Sequence, residues 1–439
     1  MGEKRSIFQV VILGAFAFFI IAAVFIFAGL TGGGENTNVG PVVIWGTFDQ
    51  SLMDSYLGTL GDEDERVKNV IYEEHSPRTF QSELVEALAG GRGPDLFFME
   101  QAHLLRHWDK IEPYSYDLMS ERSFKDTFVD ESELFLSESG INALPFALDP
   151  LVMYWNRDIF AEAGFAKPPQ YWDELFIMSE RITKRDRANN IERATVAFGE
   201  FDNVNNAKDI ISTLIMQVGG AIVVRTGGGG AVREALAAGA SDTGVAPAQS
   251  ALRFYTEFAN PVKTIYSWNR SLPQAQDAFA QGKLALYMGY ASELAGIQAK
   301  NAHLNFDVAL LPQIRAGESK RVLTFGTLHA LAVPFASQNK RGAVEMARFL
   351  TGPVASQLFN ELYGTMSPRR DLLSDTPSDS LKLVFRDAAL ISRAWPDPQA
   401  EETERIFRRM VSDITSGTLR ISDSVERANQ ELRTLINSQ

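Results

Sequence analysis

LPFALDPLVMYWNRDIFAEAGFAKPPQYWDEL, residues 144–175, decides the reading of this chain. Its first part, LPFALDPLVMYWN, is an apolar extended segment broken by Pro145 and Pro150. Pro168-Pro169 then introduce a helix with Trp172, Leu175, Phe176 and Ile182 on one face. Upstream, PVVIWGTFD (41–49) is a continuous apolar run ending in turn residues, the pattern of a buried parallel strand. Phe80, Leu84, Val85 and Leu88 recur at helical spacing until Gly90-Gly91 stops them, and PDLFFME (94–100) comes next as a second buried strand. Strand, helix, strand in that order predicts a βαβ unit and a parallel sheet. Downstream, KLALYMGY (283–290) alternates and LTFGTLHALAVP (323–334) is extended. SQNKRGAVEMARFLTGP (337–353) reads as a helix opened by Ser337 and closed by Gly352-Pro353. Two apolar stripes end the chain, Ile406, Phe407, Met410, Val411 and Ile414, then Val425, Ala428, Leu432 and Leu435. The fold class is α/β.

The 439 residues, 45% hydrophobic and 22% charged, supply material for two sizeable cores. Ile7–Leu30 is an apolar run without a charge, longer than the roughly 20 residues a helix needs to span a bilayer. Lys4 and Arg5 precede it, which keeps the N-terminus inside and exports the rest of the chain. A secretory signal peptide competes, but its apolar core runs only about 7–15 residues before a small-x-small cleavage site. We therefore expect residues 1–30 to be an uncleaved anchor and Gly-rich 31–40 a linker, which makes this a single-pass cell-membrane protein with an extracellular or periplasmic domain. There is no cysteine, so disulfides, thiol nucleophiles, cysteine-ligated zinc and lipid attachment through a thiol are excluded. The net charge of −13 argues against nucleic acid as a partner.

Four segments carry a resemblance: GRGPDLFFME (91–100), the 144–175 stretch, DAFAQGKLALYMGYAS (277–292), and FASQNKRGAVEMARFLTGP (335–353) with TMSPRRDL (365–372). In this order and spacing they resemble the family 1 extracellular solute-binding proteins, the maltose-binding-protein-like receptors of ABC sugar importers. The resemblance implies a two-lobed periplasmic-binding-protein-like fold, with crossings near 146–151, 324–331 and 388–394. Lobe one would hold 41–147 plus 327–390, and lobe two 150–324 plus 393–439. It also implies a carbohydrate or other small polar solute held between the lobes, membrane subunits of an importer as partners, and a monomer. Two departures stand out: the lipid-attachment cysteine common in Gram-positive relatives is absent, and the Gly-rich insertion at 226–244 matches nothing in the family pattern.

A sugar presents flat C–H faces and a rim of hydroxyls, so its site needs aromatic platforms and strong acceptors. Such residues fall at strand ends here, where ligands of open α/β sheets bind. They are Trp45, Thr47, Phe48 and Asp49 after the first strand, Glu100 and Gln101 after the second, and Asp149 in the first crossing. Tyr154, then Tyr290 and Ser292, and finally Trp395 and Asp397 complete the set. We expect Trp45, Tyr290 and Trp395 to stack and Asp49, Glu100 and Asp149 to accept hydroxyls. The plainer readings stay open: an aromatic at a strand end is more often packing, and Asp149 can simply cap or pair. Trp268 is read as packing.

No cofactor and no metal site is expected. His103 and His107 share a helical spacing but lack a third ligand, and Gly227–Gly230 lacks the Gly-Lys-Ser/Thr of a phosphate loop. Arg369-Arg370 is read as structural. No G-x-S-x-G or H-E-x-x-H occurs, and casting Asp149 and Glu100 as a glycosidase pair rests on nothing the sequence specifies. The expectation is a receptor that is not an enzyme; the alternatives are a membrane-anchored sensor ectodomain and, behind it, a glycoside-acting enzyme.

Overall fold

The computed structural model describes residues 40–227, 230–239, 245–315 and 322–438. The expected anchor, Ile7–Leu30, and nearly all of the linker lie outside them. Among the described residues no helix is long and apolar enough to cross a membrane.

The chain opens with β1 (Val42–Gly46), α1 (Gln50–Glu63), β2 (Val70–Glu74), α2 (Phe80–Ala89) and β3 (Leu96–Glu100). β1 pairs in parallel with both β2 and β3, Val42 opposite Val70 and Ile44 opposite Leu96, so the βαβ expectation holds. β4 (Leu144–Asn156) then runs for 13 residues, all buried. After it come β5 (Ile191–Val196), α3 (Ala207–Gln217), the short pair β6 (Val223–Arg225) and β7 (Val232–Glu234), β8 (Leu284–Tyr290), β9 (Phe306–Ala309) and β10 (Thr324–Pro334). The chain closes with α4 (Lys340–Leu350), α5 (Pro353–Tyr363), α6 (Ser380–Leu390), β11 (Ser392–Arg393), α7 (Ala400–Thr415) and α8 (Ile421–Asn437).

One mixed sheet runs β2-β1-β3-β10-β4-β8-β5, yet it serves two halves. The N-terminal end of β4 pairs with β10 and its C-terminal end with β8 and β9, so a single strand passes from one half to the other. The apolar side chains divide accordingly. One core gathers Val42, Ile44, Phe97, Phe98, Phe146, Leu148, Leu328, Leu331 and Phe359. The other gathers Leu151, Met153, Tyr154, Val196, Ile211, Tyr255, Leu286, Phe325, Phe407 and Leu432. Their border falls between Leu148 and Leu151 on β4 and between Phe325 and Leu328 on β10. Helix α6 straddles it, sending Phe385 and Ala388 into the second core and Ala389 into the first. This is a two-lobed α/β fold.

Three local expectations are revised. Residues 283–290 read as alternating, but Leu284 through Gly289 are all buried, because this strand is covered on both faces. The helix after Pro168-Pro169 starts only at Glu174, although Trp172 and Leu175 are buried as expected. In 337–353, Asn339 caps α4 by accepting from the Gly342 amide, and Pro353 opens α5 instead of ending α4.

Gly326 marks the closest approach of the crossing segments. A Cβ there would lie 2.5 Å from Glu131 Oε2, 2.7 Å from Ser392 Oγ and 2.9 Å from Leu148 Cδ1. All three neighbours are buried, so none can swing aside into solvent. Gly326→Ala is expected to cost about 2–3 kcal/mol through overpacking, read as a lower urea midpoint at unchanged m-value. A midpoint equal to wild type would show that the junction yields.

Candidate functional site

Between the two halves, at the carboxyl ends of β3 and of the second lobe's strands, lies a cavity of about 290 Å³. The first lobe contributes Glu100, Gln101 and His103, the crossing strand β10 contributes Thr327, and the second lobe contributes Lys208, Asp209, Trp395, Asp397, Glu401 and Glu404. Gln101 is buried and tied to β10, its Nε2 donating to the Gly326 carbonyl at 3.1 Å and its Oε1 accepting from Leu328 N at 2.7 Å. That bond pair fixes the turn leaving β3 against the crossing strand.

On the opposite wall the first turn of α3 presents Lys208 and Asp209. Lys208 Nζ lies 3.0 Å from Asp397 Oδ2 and 5.8 Å from the Trp395 ring. Burial opposes the ammonium charge, but Asp397 and Asp209 more than offset it and hold its pKa above the usual lysine value. Burial pushes Asp209 up to about 6, against the pull of Lys208 and of the Tyr290 hydroxyl, which donates to Asp209 Oδ2 at 2.9 Å. Glu100 faces Asp209 from the other lobe and adds to that rise. Trp395 donates Nε1–H to Ser212 Oγ at 3.1 Å and stacks on Phe407, which leaves part of its indole on the cavity wall. Asp397, only 2% exposed, also accepts from Thr403 Oγ1 and Gln399 N, so it organises the start of α7 as well as pairing Lys208.

Asp149 sits deeper, on β4 where it leaves the first core. Its two oxygens accept from the Ser292 amide at 3.1 Å and from the Ser292 hydroxyl, joining the crossing strand to the turn after β8. Burial raises its pKa to about 7, with the Ser292 bonds pulling the other way. Past this clamp the same two lobes enclose a second cavity of about 470 Å³, bounded by Ser292 and Leu294 on one side and by Tyr363, Gly364 and Met366 on the other.

The remaining named residues are distributed unevenly. Phe48 sits among Phe98, His329, Phe359 and Tyr363, each about 5 Å away between ring centroids. Asp49 caps α1 by accepting from Leu52 N, and its backbone carbonyl accepts from the Tyr363 hydroxyl at 3.0 Å. The bonds from Ser51 and Leu52 hold the Asp49 carboxyl below its ordinary pKa. Thr47 is half-buried beside them. Trp45 packs against His75, the rings tilted by 40° with centroids 4.2 Å apart, and lines neither inter-lobe cavity. Tyr154 is fully buried in the second core, where its hydroxyl donates to the Tyr290 carbonyl at 2.7 Å and so supports the site from behind. Trp268 is packing, donating to Asn203. His107 is buried against Gln81, and no group of three metal-binding side chains occurs among the described residues.

Lys208, Asp209 and Thr327 line the cavity without having been singled out in the sequence, and His103, weighed there only as half of a metal pair, lines it too. Their signal was positional: Asn206 and Ala207 open a helix just after a strand, but β5 shows little periodicity of its own, so α3 had no frame.

The family model for bacterial extracellular solute-binding proteins matches residues 45–357. A "probable ABC transporter-binding protein" of Deinococcus radiodurans is 25% identical over 259 residues, 56% of this chain and 57% of that protein. The chain thus spans about half the length of the curated relatives it matches. Among solved structures, the cyclic α-maltosyl-1,6-maltose binding protein of Arthrobacter globiformis superposes with a TM-score of 0.73 at 15% identity, over 91% of this chain and 100% of that one. The sugar-binding protein MalE of Xanthomonas citri gives 0.71 at 17% identity, over 91% and 98%. At such identities the superpositions speak for the fold alone, whereas the family model covers well over half of the sequence: the chain belongs to the bacterial extracellular solute-binding proteins.

Proposed function

We propose that this protein is the extracellular receptor of an ABC importer and captures a carbohydrate between its lobes. The observation that carries this reading is the inter-lobe cavity, where the Trp395 indole stands beside Glu100, Asp209 and the Lys208–Asp397 pair. An apolar ring face with several strong acceptors is what a polyhydroxylated ring requires. The superposed Arthrobacter protein is named for a cyclic maltosyl-maltose ligand, which agrees with that chemistry. Trp395 and Tyr290 take the stacking and orienting roles; Glu100 and Asp209 accept hydroxyls from opposite lobes.

Binding by two lobes favours the closed form, because only closure completes the contacts. The crossing segments at 146–151, 324–331 and 388–394 then act as the hinge between lobe one (41–147 plus 327–390) and lobe two (150–324 plus 393–439). The apolar run Ile7–Leu30 tethers the receptor beside its importer, which raises their effective concentration. Membrane fractionation of the full chain before and after trimming residues 1–39 tests the tether.

Titration calorimetry against mono- and oligosaccharides tests the ligand class. At least one sugar is expected to bind, and Trp395→Ala is expected to weaken it about tenfold. Silence from every sugar alongside binding of a polyamine or phosphate ester would overturn the reading.

A further inference from the structure

The described residues of the Gly-rich insertion, 226–227 and 230–239, are held at both ends. β6 and β7 form an antiparallel hairpin, Val223 opposite Glu234 and Arg225 opposite Val232. Its root belongs to the second lobe: Val223 and Leu236 are buried in that core, Glu234 pairs with Arg433 at 2.6 Å, and the Ala237 amide donates to Asn429 Oδ1 at 3.1 Å. Its other end reaches the first lobe. The Arg225 guanidinium donates to the Leu136 carbonyl at 2.8 Å and to the Leu134 carbonyl, and it lies over the Trp108 ring at 5.4 Å. Gly230, at φ +81°, lies against the same indole, and a Cβ there would fall 2.8 Å from it. These contacts are separate from the crossing segments. Trp108 ends the stretch that starts with the cavity residues Glu100, Gln101 and His103, so they join the lobes beside the cleft wall.

We propose that this hairpin is a strap between the lobes, and that Arg225 is a positioning residue for ligand capture that acts by holding the second lobe against Trp108 and the Leu134 and Leu136 carbonyls. A guanidinium with two carbonyl bonds and an aromatic face has strong geometric preferences, so its contacts survive only small rotations between the lobes. The strap therefore shifts the open–closed population towards the closed form, and the observed affinity tracks the fraction that is closed. The Arg106–Glu401 ion pair, 3.5 Å across the cavity mouth, works in the same direction.

The proposal rests on the capture reading, so its test includes a measurement that needs no ligand. The chain has no cysteine, so spin labels placed through Ser55→Cys and Glu192→Cys on exposed positions of opposite lobes report one distance. In the full-length protein Arg225→Ala is expected to lengthen and broaden that distance without ligand. With the tightest-binding sugar of the panel it should speed dissociation about tenfold or more. Arg225→Lys, which loses the planar fork, should recover only part of the effect. Trp108→Ala breaks the same contact from the other lobe, and the double variant should be no worse than the worse single one. Unchanged distances and release rates in folded Arg225→Ala and Trp108→Ala would overturn the strap. Longer distances in a protein that binds no sugar would support the strap and overturn the capture reading.

Discussion

Asp149→Ala is expected to bind the cleft's ligand about a hundredfold more weakly than wild type. Asp149 is 8% exposed and places both oxygens on Ser292, so it is a clamp between the crossing strand β4 and the turn that ends β8. Alanine leaves the Ser292 amide and hydroxyl, half-buried at the edge of the second cavity, without their acceptor. The two donors left without an acceptor cost about 3 kcal/mol together, and because the ligand-binding arrangement of the lobes depends on this joint, that is roughly a hundredfold in a dissociation constant. Tyr290 lies two residues before Ser292 and holds Asp209, so the loss passes directly into the cavity wall. Asp149→Asn retains an acceptor for one bond and should fall between the two. Calorimetric titration, with a melting curve to confirm the fold, measures both; an alanine variant within threefold of wild type would show that the clamp plays no part in binding.

The crossings and the two-lobed plan came only from the resemblance of four segments to a known family. The βαβ unit and the long apolar segment 144–156 were legible in the sequence, because apolar runs, glycine stops and proline positions are local signals. So were Glu100, Trp395 and Asp397 as cavity residues, since each comes directly after a strand or crossing that had been placed. Trp45 shows the limit. Strand alternation sends its ring to the face where His75 packs against it, and only the pairing with β2 decides that. Tyr154 was legible as an aromatic near the cleft, but its burial depends on Phe279, Tyr287 and Phe306, which lie more than a hundred residues away. Lys208 is the converse case. A lone lysine between Ala207 and Asp209 looks like a solvated position, and nothing nearby in sequence announces Asp397 as its partner. The Gly-rich insertion read as low complexity because the contacts that reach the other lobe, from Arg225 to Trp108 and Leu136, are non-local.

Glu131→Gln is expected to stabilise the protein, and to do so more strongly the higher the pH. Glu131 is 2% exposed, and neither carboxyl oxygen has a hydrogen-bond partner. It faces Gly326 of β10 at the junction of the lobes, with Ser392 and Leu148 beside it. Burial pushes its pKa up to about 8, and the nearby Arg393 charge offsets this only in part, because Arg393 already bonds Asp130. The unfolded carboxyl titrates at the ordinary 4.5, so between 4.5 and 8 the native state keeps a proton that the unfolded chain has lost. Stability is then complete below pH 4.5 and falls as pH rises, at no more than about 1.4 kcal/mol per unit, until the loss levels off above 8. Asp149 and Asp209 slope the same way up to about 7 and about 6, so the wild-type profile alone does not isolate Glu131. The difference between variant and wild type does. Urea denaturation should place Glu131→Gln within about 0.5 kcal/mol of wild type at pH 4.5 and about 2–3 kcal/mol above it at pH 8.5, after allowing for relaxation around a buried charge. A difference that is the same at both pH values would mean that Glu131 ionises without penalty, and the junction between the lobes would then be wetter than its packing implies.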